Sequence, residues 1–141
     1  MNRLLNQMVN NAPEAMLISD REGIIRFWNS GAEQVFGHTA AEAVEQALDL
    51  IIPENLRSRH WEGYDRVMVS GETKYKSGLL SLPGIRKDVS RVSLEFSMVL
   101  LHDEAGNMEG CASIMRDITE RWKKEKELKE RLTACEAKLA N

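Results

Sequence analysis

Ala15-Met16-Leu17-Ile18-Ser19-Asp20-Arg21-Glu22-Gly23-Ile24-Ile25-Arg26-Phe27-Trp28 is the stretch whose reading decides the fold. Two β-rich runs flank the turn-forming Asp20-Arg21-Glu22-Gly23, so the unit reads as a β-hairpin. A lone hairpin is not stable in water and has to join further strands. These lie at the other end of the chain. Val92, Leu94, Phe96, Met98 and Leu100 recur at period two, which predicts a strand over residues 89–101. Asp103-Glu104-Ala105-Gly106 is a turn, residues 111–118 form a last strand, and a weaker strand pattern covers residues 73–82.

The intervening segments are helical. Asn29 is placed to cap a short helix that runs through Phe36 and stops at Gly37. Thr39-Ala40-Ala41-Glu42 is a capping-box pattern. Pro53 suits the first turn of a longer helix over residues 54–70, closed by Gly71. Before the hairpin, Leu4, Leu5, Met8 and Val9 fall at helical spacing and end at Asn10-Asn11-Ala12-Pro13, a short amphipathic helix. The order is helix, two strands, small helices, a longer helix, three strands, exit helix. It predicts an α+β fold: one sheet with helices over one face and a cavity between them.

The chain has 141 residues, 43% hydrophobic and 29% charged, with net charge −3. That length suits one domain core rather than two. The slight negative charge supplies no field for nucleic acid or an anionic membrane. No apolar run is long enough to span a bilayer, and the N-terminus is too polar for a signal peptide, so the expected address is cytoplasmic. Cys111 and Cys135 form no zinc, redox or disulfide pattern and read as a buried structural thiol and a helix-surface thiol. No phosphate loop, nucleophile elbow or metal motif is present, so no enzyme is expected. Glu33, Glu42 and Glu45 read as solvated helix faces.

The words Ile18-Ser19-Asp20-Arg21-Glu22-Gly23-Ile24-Ile25, Phe27-Trp28-Asn29-Ser30-Gly31-Ala32-Glu33-Gln34-Val35-Phe36-Gly37, Ile52-Pro53-Glu54-Asn55-Leu56 and Met115-Arg116-Asp117-Ile118-Thr119-Glu120-Arg121 together resemble the PAS sensor family. The resemblance covers roughly residues 8 to 121. It implies a five-stranded antiparallel sheet with helices on one face, flanked by helices that carry a signal. The expected organisation is an N-terminal helix over 1–11, a PAS domain over 12–118 and a signalling helix over 119–141.

His60 is the sharpest single residue. At 100° per residue it sits at the centre of an apolar stripe with Leu56, Val67 and Tyr64, while Ser58, Glu62 and Asp65 fall opposite. A neutral imidazole among apolar groups is a good axial ligand for haem iron. An amphipathic-helix histidine bonded to a neighbour is the plainer alternative. Leu56-Arg57-Ser58-Arg59-His60-Trp61-Glu62-Gly63-Tyr64 resembles the proximal-histidine segment of haem-binding PAS gas and redox sensors. That resemblance implies b-type haem on His60, with Leu56, Tyr64, Val67, Leu79, Leu80, Leu82 and Met98 lining the pocket. Ser77-Gly78-Leu79-Leu80 carries neither the arginine nor the methionine of those relatives' distal side, which favours CO and NO over stable O₂ binding. The alternatives are a cofactor-free dimerisation and relay module, or a flavin such as FAD. Photoadduct chemistry is excluded, because no cysteine stands between Asn29 and Gly71. Trp28 and Trp61 read as core and surface anchors, Met68, Met98 and Met115 as gap fillers before iron ligands, and His38 and His102 as exposed.

In residues 119–141 Leu128, Leu132, Cys135 and Leu139 follow heptad spacing, and the segment carries net charge +2. This stripe and Leu4, Leu5 and Met8 predict a homodimer. The resemblance makes Asp117 and Thr119 the junction that transfers signal to the exit helix. Thr119 is the expected N-cap, with Asp117 paired to Arg121 or to a partner earlier in the chain. The downstream effector is not visible in the sequence.

Overall fold

The computed structural model describes residues 1–72 and 80–140. α1 (Asn2–Asn11) leads into the hairpin of β1 (Ala15–Asp20) and β2 (Ile25–Trp28). α2 (Ser30–Phe36), α3 (Ala40–Ala43), 3₁₀ turns at Leu48–Ile51 and Glu54–Leu56, and α4 (Arg57–Ser70) follow. β3 (Leu80–Ile85), β4 (Arg91–His102) and β5 (Met108–Asp117) complete one antiparallel sheet in the order β2-β1-β5-β4-β3, and α5 (Thr119–Ala140) leaves it. The hairpin joins the later strands through β1 and β5, as the instability of a lone hairpin demands.

The local signals act as read. The Asn29 side chain accepts from the Ala32 amide, and Gly37 closes α2 at φ 84°. Both halves of the Thr39–Glu42 capping box form. The Glu33 and Glu42 carboxylates do more than face solvent. Glu33 accepts from the Ala40 amide at 2.7 Å, and Glu42 pairs with Lys87 at 2.5 Å.

Strand limits differ where backbone geometry intervenes. The expected strand over 73–82 falls partly outside the described residues, and within them β3 continues to Ile85. It passes through Pro83, which an edge strand tolerates because no ladder bond is lost on the open side. β4 begins at Arg91, not Val89, because Arg86–Ser90 form the connecting turn with Val89 at φ 63°. A β-branched residue is strained in that region. Val89 is also 76% exposed, so its side chain contributes little packing. Val89→Asn is expected to stabilise the protein by about 1 kcal/mol, raising the melting temperature by about 2–5 °C. An unchanged or lower melting temperature would contradict this.

The core lies on one face of the sheet. Ala15, Leu17 and Ser19 of β1, Ile25 and Trp28 of β2, Cys111, Ser113 and Met115 of β5, and Val92 and Leu94 of β4 are buried together with Ala32, Phe36, Leu48, Ile51, Tyr64 and Met68 of the helical layer. Cys111 is the buried thiol and Cys135 the exposed one. α1 and α5 hold no buried residue. No described helix is long and apolar enough to cross a membrane.

Candidate functional site

α4 lies on the β1–β5 side of the sheet, and two polar anchors set its roll. The Tyr64 hydroxyl bonds to Ser19 Oγ at 2.9 Å and donates to the Asp20 carbonyl. The Trp61 indole N–H donates to Asp49 Oδ1 at 2.7 Å, and its ring covers Gly23, where a Cβ would sit 2.2 Å from it. The buried stripe runs through Tyr64 and Met68, flanked by the half-buried Trp61 on one side. His60 stands at its edge, not at its centre as the periodicity suggests. Periodicity weighs Trp61 only as an apolar face; the hydrogen bond to Asp49 pulls that face onto the core.

His60, Gly63 and Val67 share the half-buried edge of α4, continued by Leu56 just before its first residue. A Cβ at Gly63 would meet nothing within 4 Å. The His60 ring packs against Trp61 and Tyr64 with centroids 4.9 and 5.7 Å away. Among the described residues, His60 Nδ1 is the buried side-chain polar atom without a hydrogen-bond partner. Such an orphan costs about 1–3 kcal/mol and calls for an explanation.

Burial pushes the His60 pKa below its usual 6.5, and the carboxylates of Asp49 and Asp65 oppose the shift only in part. The imidazole is neutral at pH 7. Because the folded-state value is lowered, the unfolded chain takes up the proton first as pH falls. Stability is whole above pH 6.5 and declines below it. His60→Gln is expected to flatten the decline below about pH 6.5 in thermal unfolding. An unchanged slope would place the acid sensitivity elsewhere.

The other expected pocket residues divide between two surfaces. Tyr64 and Val67 are on α4 with His60, and Leu56 is the last residue of the 3₁₀ turn that leads into it. By register Leu80 and Leu82 of β3 share the inner face with Phe96 and Leu94, and Met98 of β4 faces the same way. Leu82 is 52% exposed, left uncovered at the sheet edge. Leu79 lies outside the described residues. Tyr64 and Met68 fill the space between α4 and the β1–β5 side, where the sequence suggests a cavity. A cleft of about 580 Å³ opens on the surface between Pro53, Asn55, Ile85, Val89 and Arg91. Met68 and Met115 are buried core fillers and Met98 is half-buried. His38 is half-buried, and its carbonyl accepts the Trp28 indole N–H at 3.0 Å.

The exit junction is more connected than a helix cap. Thr119 is the first residue of α5, not its N-cap. Asp117 Oδ1 accepts from its amide at 2.9 Å and its hydroxyl at 2.5 Å, and that hydroxyl accepts from the Ser93 amide at 3.0 Å. Asp117 Oδ2 pairs with Arg86 at 3.0 Å, while Arg121 turns to Glu95 at 2.5 Å. Burial opposes ionisation of Asp117, but the bonds from Thr119 and Arg86 outweigh it and hold the pKa below the usual carboxylate range.

The family model described as the PAS fold matches residues 9–123. An uncharacterized protein of Azorhizobium caulinodans is 29% identical over 115 residues, covering 81% of this chain and 15% of its own length. The sensor protein FixL of Bradyrhizobium diazoefficiens is 26% identical over 126 residues, covering 89% of this chain and 25% of its own. This chain thus spans a quarter or less of those curated relatives. The crystal structure of the PAS domain of a Colwellia psychrerythraea protein superposes with a TM-score of 0.71 at 20% identity, covering 84% of this chain and 98% of that one. A family match that takes in all five strands and the start of α5 places this chain in the PAS fold family.

Proposed function

We propose that this PAS domain is the sensory input module of a signalling protein, that it takes b-type haem on His60, and that α5 carries its output. One observation carries the haem reading: His60 holds a half-buried, neutral imidazole whose buried Nδ1 has no protein partner among the described residues. A histidine kept for structure is bonded to a neighbour; a neutral, unengaged imidazole has the donor chemistry of an axial ligand. Leu56 and Val67 beside it, and the half-buried Phe96 and Met98 on the inner sheet face, supply apolar surface suited to a porphyrin. Bound haem supplies an iron whose open position takes a diatomic gas. The protein's part is to hold the imidazole neutral and keep water from it.

A second reading, a cofactor-free relay, is favoured by the closed seam under Tyr64 and Trp61, whose polar atoms are all engaged. One experiment separates the two. The purified domain is titrated with hemin, reduced and exposed to CO. A stoichiometric Soret band that is lost in His60→Ala supports haem binding. No band in the wild-type protein, or one that survives in His60→Ala, overturns it.

The partner proposed is a second copy. α5 is 22 residues long, about 33 Å, with no buried residue, and a polar helix without tertiary packing is marginal alone. Leu128, Leu132 and Leu139 are 60–83% exposed along one stripe, and Leu4, Leu5 and Met8 of α1 are likewise uncovered. Pairing of α5 with its symmetry mate buries that stripe. The catalytic or regulatory output belongs to other segments of the signalling protein, and this domain itself acts as a sensor and not as an enzyme.

A further inference from the structure

A polar residue stands at each end of α2: Asn29 caps its N-terminus and reaches α1, and Arg86 of the β3–β4 connection meets its C-terminus and also Asp117, just before α5. Asn29, 1% exposed, uses every polar atom of its side chain. Oδ1 accepts from the amides of Met16 at 2.8 Å and Ala32 at 2.9 Å. Nδ2 donates to the carbonyls of Val9 at 2.8 Å and Glu14 at 3.0 Å, with Ala12 at 3.5 Å. Val9 lies in the last turn of α1, whose carbonyls have no partner within the helix. The cap of α2 is therefore also the tether of α1.

At the other end, α2 offers its own unpaired carbonyls to the β3–β4 connection. Val35 accepts from Arg86 Nε at 3.3 Å and Phe36 from the Lys87 amide at 2.8 Å. The same Arg86 guanidinium donates to Ser90 Oγ at 3.2 Å, the Arg91 carbonyl at 3.0 Å and Asp117 Oδ2 at 3.0 Å. Asp117 holds Thr119, and Ile118 donates to the Ser93 carbonyl at 2.8 Å, fixing where α5 starts. Between Asn29 and Arg86 α2 has seven residues, about 10 Å, with Ala32 and Phe36 at 0% exposure. A helix so short and so firmly packed shifts as a rigid body instead of absorbing displacement.

We infer that α2 is a strut coupling α1 to α5, with Asn29 and Arg86 as positioning residues at its two ends. A displacement of α1 reaches the start of α5 through Asn29, α2, Arg86 and Asp117. It does so without passing through His60 or the ligand surface of α4, so the coupling is present whether or not haem binds. The domain can then relay a change imposed on its N-terminal helix as well as one imposed by a ligand. Coupling of this kind is reciprocal, so a change at Asp117 must also be felt at α1.

Amide hydrogen exchange on the intact chain tests it. Asn29→Ser keeps an oxygen for the Ala32 cap and loses the donor to α1. It is expected to speed exchange at Ile118 by roughly 3–10-fold relative to Val99 in the middle of β4. Arg86→Gln is expected to speed exchange at Val9, and in the double variant the Asn29→Ser effect at Ile118 should vanish. Equal acceleration at Val99 and Ile118 would reveal only global destabilisation and overturn the strut, as would additive effects in the double variant. If Asn29→Ser does not fold, Asp117→Asn read at Val9 makes the same test from the other end. No change there overturns the proposal.

Discussion

Asn29→Ala is expected to destabilise the protein by about 3–5 kcal/mol, a large share of the ~5–15 kcal/mol that holds a domain together. The loss has several parts. The cap of α2 goes, which typically costs about 1 kcal/mol. The Met16 amide and the Val9 and Glu14 carbonyls lose their side-chain partner in a region the methyl group cannot hydrate. Denaturation in guanidinium with the far-ultraviolet circular dichroism followed should show the midpoint drop, and the melting temperature should fall by roughly 10–20 °C. A loss under about 1 kcal/mol would mean that Asn29 is a cap and nothing more.

Gly110→Ala should be nearly as damaging, by about 2–4 kcal/mol. Gly110 pairs with Asp20 across the β1–β5 seam, and a Cβ there would stand 2.0 Å from the Ser19 carbonyl oxygen. Backbone cannot move aside as a side-chain tip can. The added methyl has to push Ser19 and Asp20 away from β5, and those two residues anchor the Tyr64 hydroxyl. The damage should spread to α4. Besides the lowered midpoint, tryptophan fluorescence is expected to shift to the red as Trp61 loses its seat on Gly23. A variant within 0.5 kcal/mol of the parent and with unchanged fluorescence would contradict this view of the seam.

The candidate site was legible only in part. His60 stood out because it is the one histidine among apolar neighbours on a long helix, and the structure keeps it half-buried and neutral. Its position at the edge of the stripe is not encoded locally, since a projection at 100° per residue carries no information on which polar tips find partners. No local pattern marks Arg86. It sits in an ordinary charged turn, Arg86-Lys87-Asp88, and no spacing rule links it to Asp117 thirty-one residues away. Asn29 carries the local pattern of a cap, yet its amide nitrogen, which reaches back twenty residues to Val9, has no signature of its own.

By itself the sequence determined what neighbouring residues decide among themselves. The hairpin, the stops at Gly37 and Gly71 and the Thr39–Glu42 box all rest on bonds and contacts a few residues apart, and β4 shows in the local period of its side chains. A short loop costs little entropy to close, so such choices are made before the chain is compact. The tertiary structure alone decided the roll of α4, the partners of Asp117 and the need for glycine at position 110. Trp61 meets Asp49 across twelve residues, Tyr64 meets Ser19 across forty-five, and Gly110 meets Ser19 across the sheet. Those contacts exist only once five strands are in register, and their geometry is set by packing, which no local pattern encodes.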